Sequence, residues 1–100
     1  MAEVIWTEPA LYELDAIANY IALDNSIAAR ALVKEIFTKV ERLEMYPQSG
    51  RIPPELPHSI YREIIVSPCR IFYREEGSDV FILYIMREER KLRFYMLENR

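Results

Sequence analysis

Helix-like and strand-like patterns are segregated along this chain, and that segregation limits its fold more than any other feature. Leu11, Leu14, Ile17, Ala18 and Ile21 recur at spacings of three and four, as do Ala29, Leu32, Val33, Ile36, Phe37, Val40 and Leu43. Both series describe amphipathic helices, the first over residues 8 to 23 and the second continuing after Asp24-Asn25-Ser26 to about Met45. Thr7, with Pro9 in the first turn, suits the N-cap of the first helix, and Asp24-Asn25-Ser26 breaks the pattern and offers a cap for the second. So short a break makes the pair an antiparallel hairpin. The next apolar runs are short, β-branched and aromatic: Ile60 to Val66, Cys69 to Arg74, and Val80 to Met86. Ser67-Pro68 and Glu75-Glu76-Gly77-Ser78-Asp79 separate them, which predicts three antiparallel strands joined by tight turns. Glu3 to Thr7 predicts a short strand ahead of the helices. Strands grouped apart from helices argue for an α+β fold rather than alternating βαβ units.

Tyr46 to Ser59 carries four of the six prolines and is expected to cross the surface outside helix and sheet. Val80 to Met86 is apolar on both alternations, so it belongs at the centre of the sheet, buried on both faces. From Arg87 onward charge returns together with Leu92, Phe94, Tyr95, Met96 and Leu97, which predicts a short C-terminal helix or an extended arm. With 100 residues, 51% of them hydrophobic, the chain has the material for one domain over residues 1 to 100.

Several function classes are disfavoured. The longest uninterrupted apolar run, Val80 to Met86, falls far short of the roughly 20 residues of a membrane helix, and Met1-Ala2-Glu3 lacks the basic-then-apolar start of a signal peptide. A soluble cytoplasmic protein with no membrane partner is expected. Cys69 and His58 are the lone cysteine and histidine, which rules out an internal disulfide and a zinc cluster of the usual spacing. Gly50 and Gly77 are too few and too far apart for a phosphate loop or dinucleotide fingerprint. No metal and no cofactor are expected. The sequence pI of about 5.2 argues against non-specific nucleic-acid binding. Yet Arg51, Arg62, Arg70, Arg74, Arg87, Arg90 and Arg93 all lie in the second half, and arginine suits forked contacts to carboxylate or phosphate. An acidic protein partner fits this distribution.

Six short segments, in order, carry a family resemblance. They are Ile5-Trp6-Thr7-Glu8-Pro9-Ala10, Asp24-Asn25-Ser26-Ile27-Ala28-Ala29, Tyr46-Pro47-Gln48-Ser49-Gly50-Arg51, Arg62-Glu63, Pro68-Cys69-Arg70-Ile71-Phe72-Tyr73-Arg74 and Val80 to Arg90. Spread over almost the whole chain, they resemble the RelE/ParE superfamily of bacterial type II toxins, closest to the ParE, or plasmid-stabilisation, branch. The resemblance implies an N-terminal strand, an antiparallel helical hairpin, a three-stranded antiparallel meander and a short C-terminal helix or arm. It also implies growth arrest, through DNA gyrase in one branch and ribosome-dependent messenger RNA cleavage in another, and a ParD-like cognate antitoxin whose C-terminal segment wraps the toxin. Homodimerisation stays open.

The residues lean toward the gyrase branch. RNA cleavage through the 2′-hydroxyl needs a base, an acid and cations around the developing charge. Nuclease members similar to this chain place basic residues where it has Tyr61, Glu63 and Ile65, and often histidine where it has Arg87, which stays protonated. Arg70 and Arg90 match nuclease arginines and Tyr95 lies near a family tyrosine, so these three are the catalytic candidates if the chain is a nuclease. Arg62, Arg70, Arg74, Arg87, Arg90 and Arg93 are the candidate target- or antitoxin-binding residues. Arg70, Phe72 and Arg74 share a strand face, either as a basic aromatic patch or as an ion-paired strand against Glu63 or Glu75. Arg87, Arg90 and Arg93 would form a cationic stripe on a helix. Trp6 is expected in the core, Cys69 as a buried inert thiol, and His58 as an ordinary loop residue. The leading expectation is therefore a gyrase poison that acts by binding and has no catalysis of its own. A messenger RNA interferase, and a degenerate non-toxic binding module or co-repressor, are the alternatives.

Overall fold

The computed structural model describes residues 1–98; Asn99 and Arg100, the end of the expected C-terminal segment, lie outside the described residues. In chain order the elements are β1 (Glu3–Trp6), α1 (Glu8–Ala22), α2 (Ser26–Glu41), a 3₁₀ turn (Arg42–Glu44), β2 (Tyr61–Val66), β3 (Cys69–Glu76), β4 (Asp79–Arg87) and a last 3₁₀ turn (Phe94–Met96). Both helices begin where their caps lie. Thr7 Oγ1 accepts from the Ala10 amide at 3.4 Å and donates to the Ile82 carbonyl at 2.7 Å, and Asn25 Oδ1 accepts from the Ala28 amide at 3.0 Å. α2 ends at Glu41 and tightens into the 3₁₀ turn before reaching Met45. Between β3 and β4 only Gly77 and Ser78 lie outside the strands; Gly77 takes φ 60°, a conformation that glycine adopts without strain. Glu75, Glu76 and Asp79, expected in the turn, are therefore strand residues.

The sheet runs in the order β1-β4-β3-β2, with β1 parallel to β4 and the other pairs antiparallel. β4 is a central strand, as its two-sided apolar pattern requires. Its register against β3 shifts after Phe72↔Tyr84, the next pair being Tyr73↔Ile82, so Leu83 is an extra residue. That bulge sets Leu83 and Tyr84 in one and the same cluster.

Two cores result. Ala10, Leu14, Leu32, Ile36, Val40 and Leu43 from the helical half meet Val66, Ile71, Tyr73, Val80, Ile82 and Ile85 on one face of the sheet. On the other face Phe72, Leu83, Tyr84 and Met86 are covered by Leu56 of the proline-rich crossing and by Leu92, Met96 and Leu97. The segment beyond Arg87 is thus an arm bearing one 3₁₀ turn, and no helix carries Arg87, Arg90 and Arg93. The helical stripe expected of them does not form: Arg87 ends β4, Arg90 follows in a turn, and Arg93 precedes the 3₁₀ turn in extended backbone.

Candidate functional site

The arginines of the second half divide into those that carboxylates hold and those that project from the arm. Arg70, on β3, is 6% exposed. Its Nη1 and Nη2 donate to the two oxygens of Glu55, each at 2.7 Å, and its Nε donates to Glu63 Oε1 at 2.7 Å. Glu63, on β2, is 1% exposed and takes its second contact from Arg51 Nε at 2.9 Å. Arg51 is held in place by its own backbone, which exchanges two hydrogen bonds with Glu63 at 3.0 and 2.7 Å. Two buried or half-buried carboxylates and two guanidiniums form one chain of charge. Each compensates the desolvation of the next.

Gly50 precedes Arg51 because nothing larger fits. A Cβ there would stand 2.6 Å from the Tyr73 hydroxyl and 2.7 Å from the Glu63 carbonyl. Tyr73 Oη accepts from the Gly50 amide at 2.9 Å and donates to the Pro47 carbonyl at 2.8 Å, pinning the start of the crossing to the sheet. Arg62 Nη1 donates to the Gly50 carbonyl at 2.8 Å.

The protonation states follow from these contacts. The Arg70 fork holds the Glu55 carboxyl down at about 2, and Glu55 and then Glu63 raise Arg70 further against the opposing effect of burial. Burial pushes the Cys69 thiol up to about 11, so it stays protonated and unreactive at neutral pH. A cavity of about 380 Å³ opens beside the network, lined by Arg51, Pro54, Glu55, Ile65, Arg70 and Glu88. Its two cations face Glu55 and Glu88, and Glu63 lies behind. That balance does not make a phosphate pocket.

The remaining candidates are scattered. Arg74 pairs with Glu76 at 2.8 Å and stacks 5.0 Å from the centre of the Phe81 ring, while Arg70 stacks 4.9 Å from Phe72. Arg70, Phe72 and Arg74 therefore share a face as expected, in the ion-paired form. Glu63 is a partner of Arg70, whereas Glu75 instead accepts from Gln48 at 3.2 Å. Arg87 pairs with Glu89 at 2.8 Å. Arg90 and Arg93 are exposed on the arm, with no salt bridge among the described residues, and Tyr95 beside them is 70% exposed. Trp6 is half-buried against the helical core, its ring centre 4.8 Å from that of Phe37, and His58 is an exposed loop residue. The one central member that the sequence pattern missed is Glu55. It lies in the crossing between Pro54 and Leu56 with no spacing signal to mark it. Among the described residues no group of three or more His, Cys, Asp or Glu could hold a metal, and no helix is long and apolar enough to cross a membrane.

A helical hairpin on one face of a four-stranded mixed sheet, the other face covered by the crossing and the arm, is a fold shared with the toxins of the RelE/ParE superfamily. A solved structure described as the chromosomal ParDE TA system from P. aeruginosa superposes with a TM-score of 0.73 at 30% identity, covering 89% of this chain and 98% of that one. The family model for the ParE toxin of type II toxin-antitoxin systems, parDE, matches residues 4–92, and the chain belongs to that family. Toxin RelE2 of Caulobacter vibrioides is 37% identical over 79 residues, 77% of this chain and 85% of the relative. Toxin ParE3 of the same organism is 32% identical over 87 residues, 86% of each chain. Relatives thus carry both branch names.

Proposed function

We propose that this type II toxin arrests growth by binding DNA gyrase, without cleaving RNA through residues of its own, and that a small antitoxin encoded beside it neutralises it. The observation that carries the reading is the closure of Arg70. The arginine best placed to clamp a phosphate has its Nε and both Nη atoms engaged with carboxylates. Arg87, where similar nuclease members often carry a proton-transferring histidine, faces Glu89.

The antitoxin has a matching surface in the groove between α1 and α2. Ala18, Ala22, Ala29 and Val33 line it, and Arg30 and Lys34 stand exposed at its rim. An acidic amphipathic segment that orders on binding suits such a groove. One observation favours the interferase reading: Arg90, Arg93 and Tyr95 are exposed together on the arm.

Induction of the protein alone, with supercoiling, DNA breaks, translation and message integrity followed in time, tests the proposal. Supercoiling and breaks should change before translation falls, and the purified protein should inhibit gyrase while leaving message on programmed ribosomes intact. Codon-phased cleavage lost in Tyr95→Phe would replace gyrase with the ribosome. Harmless high-level expression of folded protein would leave the degenerate binding module.

A further inference from the structure

We infer that Glu55 and Arg70 are the positioning residues of the C-terminal arm, a partly buried latch through which the proline-rich crossing sets where the arm's exposed side chains stand. The inference rests on the proposal above that the chain is a growth-arresting toxin, and it takes Arg90 and Arg93, the candidate target-binding residues exposed on the arm, as the side chains that meet the target. Its geometry is specific to backbone atoms of the arm. Glu55 Oε2 accepts from the Leu92 amide at 3.0 Å, and Arg70 Nη1 donates to the Arg90 carbonyl at 3.3 Å. The fork between the two residues is itself bidentate, which fixes direction as well as distance. Arg51 and Glu63 complete the charge balance behind it.

Below the latch, Leu92 and Leu97 are buried against the sheet. Above it, Arg90, Lys91, Arg93, Phe94 and Tyr95 are exposed. No salt bridge among the described residues engages Arg90, Lys91 or Arg93. Stability alone is a weak reason for such a latch, because a buried ion pair is often no better than apolar residues of the same volume. What apolar residues would not supply is the pair of polar contacts that catch the arm's amide and carbonyl.

The test uses the full chain carrying Glu55→Gln, which keeps the side-chain shape. Hydrogen exchange should quicken by about tenfold or more at Leu92, Met96 and Leu97, as loss of a charge-assisted contact implies, with β3 and β4 amides unchanged. Growth arrest should then need a correspondingly higher dose, while the antitoxin still binds. Ile36→Val, a core change on the helical side that lowers the melting temperature without touching the arm, should keep full arrest, and Glu55→Asp should restore part of it. If Glu55→Gln fails to fold, Glu55→Gln/Arg70→Met, which removes both partners and leaves Glu63 with Arg51, takes its place. Unchanged arm exchange, or a loosened arm with undiminished arrest, would overturn the inference. A wild-type protein that spares gyrase while arrest still depends on Glu55 would sink the gyrase reading and leave the latch standing.

Discussion

Glu55 is a single residue on which a loop, a strand and the arm converge, and its ionisation gives the molecule a measurable signature. Its carboxyl is held at about 2 against an ordinary value of 4.5, chiefly by the Arg70 fork. A depressed carboxyl pKa adds stability that is fully present above the unfolded value and is lost as pH falls through the folded one. The window therefore lies between about pH 4.5 and 2. Water reaches part of the pair, so its contribution is discounted to roughly 1–2 kcal/mol. Urea denaturation should show Glu55→Gln less stable than the parent at pH 7, with the difference shrinking as pH falls toward 2. A constant difference across that range would mean that the charge of Glu55 contributes nothing and only its shape matters.

The helix starts illustrate how local chemistry and tertiary contacts combine within an element. Asn25 caps α2 through one contact, to the Ala28 amide. Thr7 caps α1 and also donates to Ile82, joining the helix start to the middle of β4. Asn25→Ala should cost about 1 kcal/mol as an ordinary lost cap, and Thr7→Ala about 2 kcal/mol because a second hydrogen bond goes with it. Equal losses in chemical denaturation would show that the tie to β4 adds nothing. The caps were legible in the sequence, the first as Thr7 and the second to within Asp24-Asn25-Ser26, because a cap and its amide lie three residues apart. The strands after the crossing were legible for a similar reason, their pattern and turns being local. By contrast, β1 pairs in parallel with β4 across most of the chain, the Leu83 bulge arises from the pairing itself, and Glu55 meets Arg70 fifteen residues on. None of these leaves a periodic trace. The arm could be read as a helix or as extended for the opposite reason: arginines every three residues fit a helix, yet Leu92 and Leu97 turn inward while Phe94 and Tyr95, between them, stay exposed.

At the scale of the whole molecule, the sheet has two apolar faces and only one is covered by helices. The crossing and the arm must cover the other, so the segment that carries the candidate target face is also part of the core. Ending the chain after Lys91 removes Leu92, Met96 and Leu97 from above Phe72, Leu83, Tyr84 and Met86. Two fully buried leucines alone are worth about 3–6 kcal/mol, a large share of the roughly 5–15 kcal/mol that holds a domain folded. Reversing the charges of Arg90 and Arg93 to Glu removes only exposed cations, which matter to stability by about 0 to 1 kcal/mol. The two changes should therefore separate. The charge reversal should leave the melting temperature nearly unmoved and weaken growth arrest or antitoxin binding. The truncation should lose cooperative unfolding, bind apolar dyes and self-associate through the uncovered face while keeping much of its helical circular dichroism. A truncated chain that melts cooperatively, still arrests growth and is still neutralised would show that the sheet's second face needs no cover and that the arm is neither core nor binding surface.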